Sequence, residues 1–221
     1  MKLFFDFEFT GLHRGTTPIS LGIVADNFYF FYAEFTDYDK EQIEKEKDGG
    51  NFIKENVLSN LVLEDQGIGE NDCSVFKKYD KLAYMKVRGT KEYVSKKLKE
   101  WLDALDTDKI EMWGDCLHYD WVLFLDLFGY SAFDLPEKIY YIPFDICTLF
   151  KAKGIDPDIN REGFSMIYSE MYNKSLEGKM NTKHNAMHDA DIIHYCYMTL
   201  MNEYWNIKSM DNVIHRLFNY I

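Results

Sequence analysis

Leu3-Phe4-Phe5-Asp6-Phe7-Glu8-Phe9 opens the chain with alternating aromatic and acidic residues. Side chains alternate along an extended segment, so Asp6 and Glu8 share one face with Phe4, while Leu3, Phe5, Phe7 and Phe9 share the other. An ordinary half-exposed strand with its polar face in water shows the same alternation. Phe4 on the acid face, and the density of aromatic residues, argue instead for a central strand covered on both sides. Two carboxylates side by side in such a place repel each other and resist ionisation unless a cation sits between them. A hard divalent metal ion resolves that conflict.

Outward from this strand, residues 18 to 25 and 28 to 35 are also apolar and aromatic-rich. Gly11 to Thr17 and the turn Asp26-Asn27 separate the three segments, as in an antiparallel meander. From residue 38 to about 80 the sequence becomes charged and Gly-containing, which reads as an insertion lying over the domain, with one helix near 51 to 63. Thr90 caps a helix whose apolar positions Val94, Leu98, Trp101, Leu102 and Leu105 recur at helical spacing. A short strand at 110 to 113, a helix at 118 to 128 and a short element at 144 to 150 follow. A long helix then runs from Asn185 to Tyr204 and a last one from about Met210 to Asn219. A meander followed by alternating helix and strand predicts one α/β domain with a mixed sheet over residues 1 to 221.

Two further acidic sites do not suit a plain core. In His118-Tyr119-Asp120-Trp121-Val122-Leu123-Phe124, Asp120 lies with Leu123, Phe124 and Leu127 on the inward face, whereas Asp126 points outward. A favourable position in the helix dipole would also account for Asp120, and Asp115 competes for the same role. In His184-Asn185-Ala186-Met187-His188-Asp189-Ala190, the five-residue spacing separates His184 from Asp189 by about 140° in a continuous helix. Asn185 is a good cap, so His184 belongs to the entering loop and Asp189 to the first turns. His184 and His188 have the spacing of a zinc pair, but Asn185 stands where a zinc hydrolase carries its glutamate base and no third ligand is near. Lys174, Lys179 and Lys183 precede this motif as candidate phosphate contacts. The basic stretch from Lys77 to Lys99, opposed only by Asp80 and Glu92, is another candidate, although a solvated face is the better account of these lysines.

The 221 residues are 47% hydrophobic and 28% charged, which excludes a disordered tail protein. The best apolar run, Trp121 to Phe128, is broken by Asp126, short of the ~18 residues of a membrane span. Only Leu3 to Phe5 precede Asp6, too few for a signal peptide, so no membrane association and a cytoplasmic location are expected. Cys73, Cys116, Cys147 and Cys196 lie far apart in sequence and read as small core residues. A net charge of -12 argues against non-specific coating of nucleic acid but not against an enzyme that handles one chain end. No dinucleotide loop, GxSxG or GxxxxGK[ST] occurs.

The ordered set Asp6, Glu8, Asp120, His184 and Asp189 resembles the DEDDh family of 3′ to 5′ exonucleases. Asp6-Phe7-Glu8-Phe9-Thr10-Gly11-Leu12 is similar to the motif DxETTGL, departing at Phe9. Tyr119-Asp120 stands at the second motif, and His184-x-Ala186-x-x-Asp189-Ala190 matches HxAxxDA. Within the family, the chain looks closest to the small bacterial and phage exoribonucleases typified by a mycobacterial enzyme. The resemblance implies a ribonuclease H-like fold with a five-stranded mixed sheet, and a cofactor of two Mg²⁺ or Mn²⁺ ions. Asp6 would bridge them, with Glu8 and Asp189 on one and Asp120 on the other. It further implies His184 as the base that takes a proton from water, release of 5′-mononucleotides, and a terminal-nucleotide cradle of Phe9, Thr10, Gly11 and Leu12 with Lys183 on phosphate. The expected partner is single-stranded RNA or an RNA 3′ end, with DNA as the alternative polymer. Homodimers are common among such relatives, and a catalytically silent nucleic-acid-binding or adaptor domain is the reading of another class.

Overall fold

The computed structural model describes residues 1–45, 49–78, 81–172 and 178–201. The meander forms as expected, from β1 (Lys2–Phe9), β2 (Pro18–Ala25) and β3 (Phe30–Phe35), antiparallel in sequence order. After it come α1 (Lys40–Lys45) and α2 (Gly49–Phe52), the latter running into a π-helical turn, Ile53–Val57, and a 3₁₀ turn, Leu58–Asn60. These short turns stand where one helix over 51 to 63 was expected.

The sheet has seven strands rather than five. The extra pair is the hairpin β4 (Asp72–Lys78) and β5 (Lys81–Gly89), and β5 joins the sheet parallel to β3. The insertion is therefore only partly a cover, because its last residues form an edge strand. Along β5 the inward residues Ala83, Met85 and Val87 alternate with outer residues that include Lys86 and Arg88. That polar face gives the segment its basic look in sequence while its backbone obeys strand periodicity.

Beyond the hairpin lie α3 (Lys91–Ala104), β6 (Glu111–Gly114), α4 (Asp120–Asp126), β7 (Phe144–Asp145), α5 (Ile146–Ala152), α6 (Arg161–Tyr172) and α7 (Ala186–Met201). The Thr90 hydroxyl caps α3, accepting from the Tyr93 amide at 3.4 Å. Strands β6 and β7 extend the sheet in parallel from β1, giving the order β4-β5-β3-β2-β1-β6-β7. Helix α6 was not expected. Gly163 sits in its first turn, and Asn160 satisfies that turn by accepting from the Gly163 amide at 2.7 Å. Tyr204, Lys174 and the expected final helix lie outside the described residues.

Both faces of β1 are covered, as its aromatic density implies. Leu3, Phe5 and Phe7 pack with Leu98, Trp101 and Phe124 beneath α3 and α4. Phe4 packs on the other side with Ile146, Phe150 and Ile193 of α5 and α7. Ile43, Ile53 and Val57 of the inserted segment join Ile19 in a separate cluster. Among the described residues, no helix is long and apolar enough to cross a membrane.

Gly22 of β2 pairs across the sheet with Asp6. A Cβ placed there would lie 2.2 Å from the Ala186 carbonyl oxygen and 2.6 Å from Met187 Cα, so the start of α7 rests directly on the strand. Only glycine permits this approach, which lowers the third acidic motif onto the first. Gly22→Ala is expected to destabilise the fold by about 1–3 kcal/mol through overpacking. Urea unfolding checks this, and an unchanged midpoint would show that α7 can yield at no cost.

Candidate active site

Asp6, Glu8, Asp120, His184 and Asp189, from three distant parts of the chain, line one cavity of about 820 Å³. Each is placed by a separate local rule. Asp6 and Glu8 leave β1 on the same side because they are two residues apart. β6 pairs with β1 only from Lys2 to Phe4, which leaves the Phe7 amide free of the ladder. That amide donates to Asp120 Oδ1 at 3.0 Å and holds the first residue of α4 beside the strand. Asp189 lies in the first turn of α7, and its Oδ2 accepts from the His184 amide at 2.9 Å.

His184 sits outside the helix with a left-handed φ of 63°. Asn185 caps α7 as anticipated, its Oδ1 accepting from the Met187 amide at 3.0 Å. The imidazole Nδ1 is 3.9 Å from Glu8 Oε1, too far for a hydrogen bond. Glu8, His184 and Asp189 each bring a ligand atom within 4.8 Å of the others. Since His184 is off the helix, it does not pair with His188, whose ring faces Asn181 Oδ1 at 3.2 Å and Glu162 Oε1 at 3.5 Å. The zinc-pair geometry does not form.

The electrostatics are those of a cavity whose four acids crowd one another without a paired cation among the described residues. Burial, reinforced by Asp120, Asp189 and Glu8, drives the Asp6 carboxyl well above the usual carboxylate range. Burial and then the Asp189 and Asp120 charges raise Glu8 to about 8. Burial raises Asp189 to about 7 despite the His184 amide, and Asp120 to about 6 despite the Phe7 amide. Among the described residues, none of the four acids forms an ion pair with lysine or arginine. Such a group is stable only partly protonated or with cations among its oxygens, and its all-oxygen character suits hard dications. Burial and the neighbouring Lys183 hold the His184 imidazole below its ordinary value, so the ring is neutral at pH 7 and able to accept a proton.

Around the acids, Leu12 is 76% exposed at the rim, with Gly11 and Phe9 also lining the cavity and Phe9 against the Tyr119 ring. Thr10 is different. It is fully buried, and its hydroxyl faces Thr16, Thr17 and Gln42 inside the turn, so its side chain is not part of the expected cradle. Lys183 is exposed and lines an adjoining lobe of about 420 Å³ that shares Asp6, His184 and Asp189. Asp115 also reaches the cavity, but Arg161 engages both its oxygens, at 2.7 and 3.0 Å. Asp126 points away from the cavity, yet not into water, because Lys91 meets it at 2.7 Å.

Much of the basic stretch is used internally. Lys86 donates to Gln66, Arg88 pairs with Glu64, and Lys97 pairs with Glu100, all away from the cavity. The cysteines are not all plain core residues, since Cys116 is exposed at the cavity with its sulfur 3.4 Å from that of Cys147. Sequence separation hid this proximity, which arises where β6 and β7 end side by side. Phe52, Ile53 and Val57 of the inserted segment form a wall of the cavity that sequence reading missed. The apolar character of these residues signals only a core.

Compared with known proteins, the chain matches no family model and no curated sequence.

Proposed function

We propose that this protein is a metal-dependent 3′ to 5′ exoribonuclease of the DEDDh kind, built on a ribonuclease H-like sheet and releasing 5′-mononucleotides. The observation that carries the reading is the meeting of Asp6, Glu8, Asp120, Asp189 and His184 around one cavity, in the motif order that the resemblance requires. The run β3-β2-β1-β6-β7, with β2 alone antiparallel to the rest, supports the fold assignment, with β5 and β4 added at its edge.

Asp6, Glu8, Asp120 and Asp189 would hold two Mg²⁺ or Mn²⁺ ions. Such ions, when bound, supply Lewis-acid activation of water and neutralise charge on the scissile phosphate. The protein's own share follows from its geometry. The amides of Phe7 and His184 fix the directions of Asp120 and Asp189 before any ligand arrives. The neutral His184 imidazole accepts the proton of the attacking water. Leu12 and Phe52 offer apolar surface to a terminal base, and Lys183 offers charge to a phosphate.

Digestion of 5′-labelled RNA and DNA strands of matched sequence, with Mn²⁺ or Mg²⁺, tests the proposal. Shortening from the 3′ end is expected, with RNA lost faster and 5′-mononucleotides as product. Faster loss of DNA would reverse the polymer preference, and intact strands would overturn the enzyme. His184→Ala is expected to lower kcat by about 10²–10⁴-fold, the usual contribution of a positioned base.

A further inference from the structure

The loop that carries His184 is tied on both sides to a single residue of the inserted segment. Asn60, at the end of the 3₁₀ turn, donates from Nδ2 to the Lys183 carbonyl at 3.0 Å. In return, Asn185 Nδ2 donates to the Asn60 carbonyl at 3.0 Å. The two bonds flank His184 on its immediate neighbours. Asn185 also donates to the Tyr32 hydroxyl at 3.1 Å, and that hydroxyl donates to Glu34 Oε1 at 3.0 Å. Glu34 is buried and accepts from the amides of Val62 and Leu63, at 2.6 and 3.1 Å, just past Asn60. The circuit is closed: β3 fixes the inserted segment through Glu34, and the segment fixes the His184 loop through Asn60. On the other side of the imidazole, the Phe52 ring meets it edge-on with centroids 4.9 Å apart.

A left-handed backbone at a residue other than glycine persists only where its surroundings hold it, and His184 is such a residue. Its own side chain makes no hydrogen bond to Glu8, so the ring depends on the backbone beneath it and on Phe52 beside it. We infer that Asn60 and Phe52 are positioning residues for His184, which makes the inserted segment a working part of the site rather than a cover. This inference rests on the nuclease reading for its catalytic consequence, though not for its structural one.

Asn60→Asp tests it, because the change keeps size and shape and replaces the donor with an acceptor facing the Lys183 carbonyl. With Mn²⁺ and single-stranded RNA, kcat is expected to fall by about 10²-fold, the scale of a 1 Å misplacement, with KM within twofold. Phe52→Leu is expected to lower kcat as well. Lys54→Ala, an exposed change in the same segment, leaves activity unaltered. The melting shift caused by Mn²⁺ is expected to survive in Asn60→Asp, showing the carboxylates intact.

A second readout needs no activity. The His184 imidazole signal in a long-range ¹H–¹⁵N spectrum of the metal-free protein, identified by its loss in His184→Gln, is expected to shift or broaden in Asn60→Asp and not in Lys54→Ala. An active wild type with kcat unchanged in Asn60→Asp overturns the positioning role, whatever the spectrum does. An inactive wild type overturns the nuclease reading instead, and the spectrum alone then decides the strap, an unmoved His184 signal ending it.

Discussion

Asp6→Asn is expected to lower nuclease activity by at least about 10³-fold and, in the same protein, to raise the melting temperature of the metal-free form at pH 8. The loss follows from the central place of Asp6, which is crowded by Asp120, Asp189 and Glu8 and would help to hold the metal. The gain follows from linkage. An acid whose folded pKa is raised binds more protons folded than unfolded across the window between its ordinary and its raised value. Stability contributed by such a group therefore declines as pH rises through that window. At pH 8 wild-type Asp6 must either ionise beside three other carboxyls with no cation paired to it or hold a proton against the solvent, and a neutral amide of the same shape does neither. A rise of about 2–8 °C corresponds to relief of 1–2 kcal/mol in a chain of this size. Thermal melts in EDTA, beside a nuclease assay, read both effects. Activity retained within tenfold would assign it to another site or to a contaminant, and a lower melting temperature would show that the acids do not strain one another.

The site was legible in the sequence because its parts obey short-range rules. The i, i+2 spacing of Asp6 and Glu8 fixes a shared face in any strand, and both acids do line the cavity. The cap at Asn185 separates His184 from the helix that carries Asp189, and the Asn185 side chain does cap it. Asp120 could be set apart from Asp126 by helical angle, although the partner of Asp126, Lys91, lies 35 positions away and was not visible. What sequence could not supply was the convergence itself, which depends on Gly22 admitting α7 and on β6 stopping short of Phe7.

The missed features share a different cause. In β5, Lys86 and Arg88 alternate with the buried Ala83, Met85 and Val87, and charge drew attention away from that alternation. Asn60 reads as one more polar residue in a charged segment, because its partners, Lys183 and Asn185, are more than 120 residues on. Thr10 fits a nucleotide cradle by motif alone, whereas the tight return of the chain from Thr10 to Thr17 consumes its hydroxyl. In each case a long-range contact sets the role of a residue whose local signal is ordinary.

At pH 8, saturating Mn²⁺ is expected to raise the melting temperature of the wild type by roughly 5–11 °C, and at pH 5 the increment is expected to vanish. A ligand that binds only the folded state stabilises it by about 2.7 kcal/mol at a hundredfold excess over Kd, which sets the size of the shift. Protons compete for the same oxygens. With Glu8 near 8, Asp189 near 7 and Asp120 near 6, all three are largely protonated at pH 5, and loading must displace those protons. The contribution of these acids to the metal-free protein moves the opposite way, strengthening as pH falls from 8 towards 5, since their folded values lie above their ordinary ones. Melting curves with Mn²⁺ and with EDTA should therefore converge as the pH is lowered. Asp189→Ala is expected to abolish the increment at every pH. A shift as large at pH 5 as at pH 8, or one that persists in Asp189→Ala, would place the bound ion elsewhere on this acidic chain and detach the buried carboxylates from metal binding.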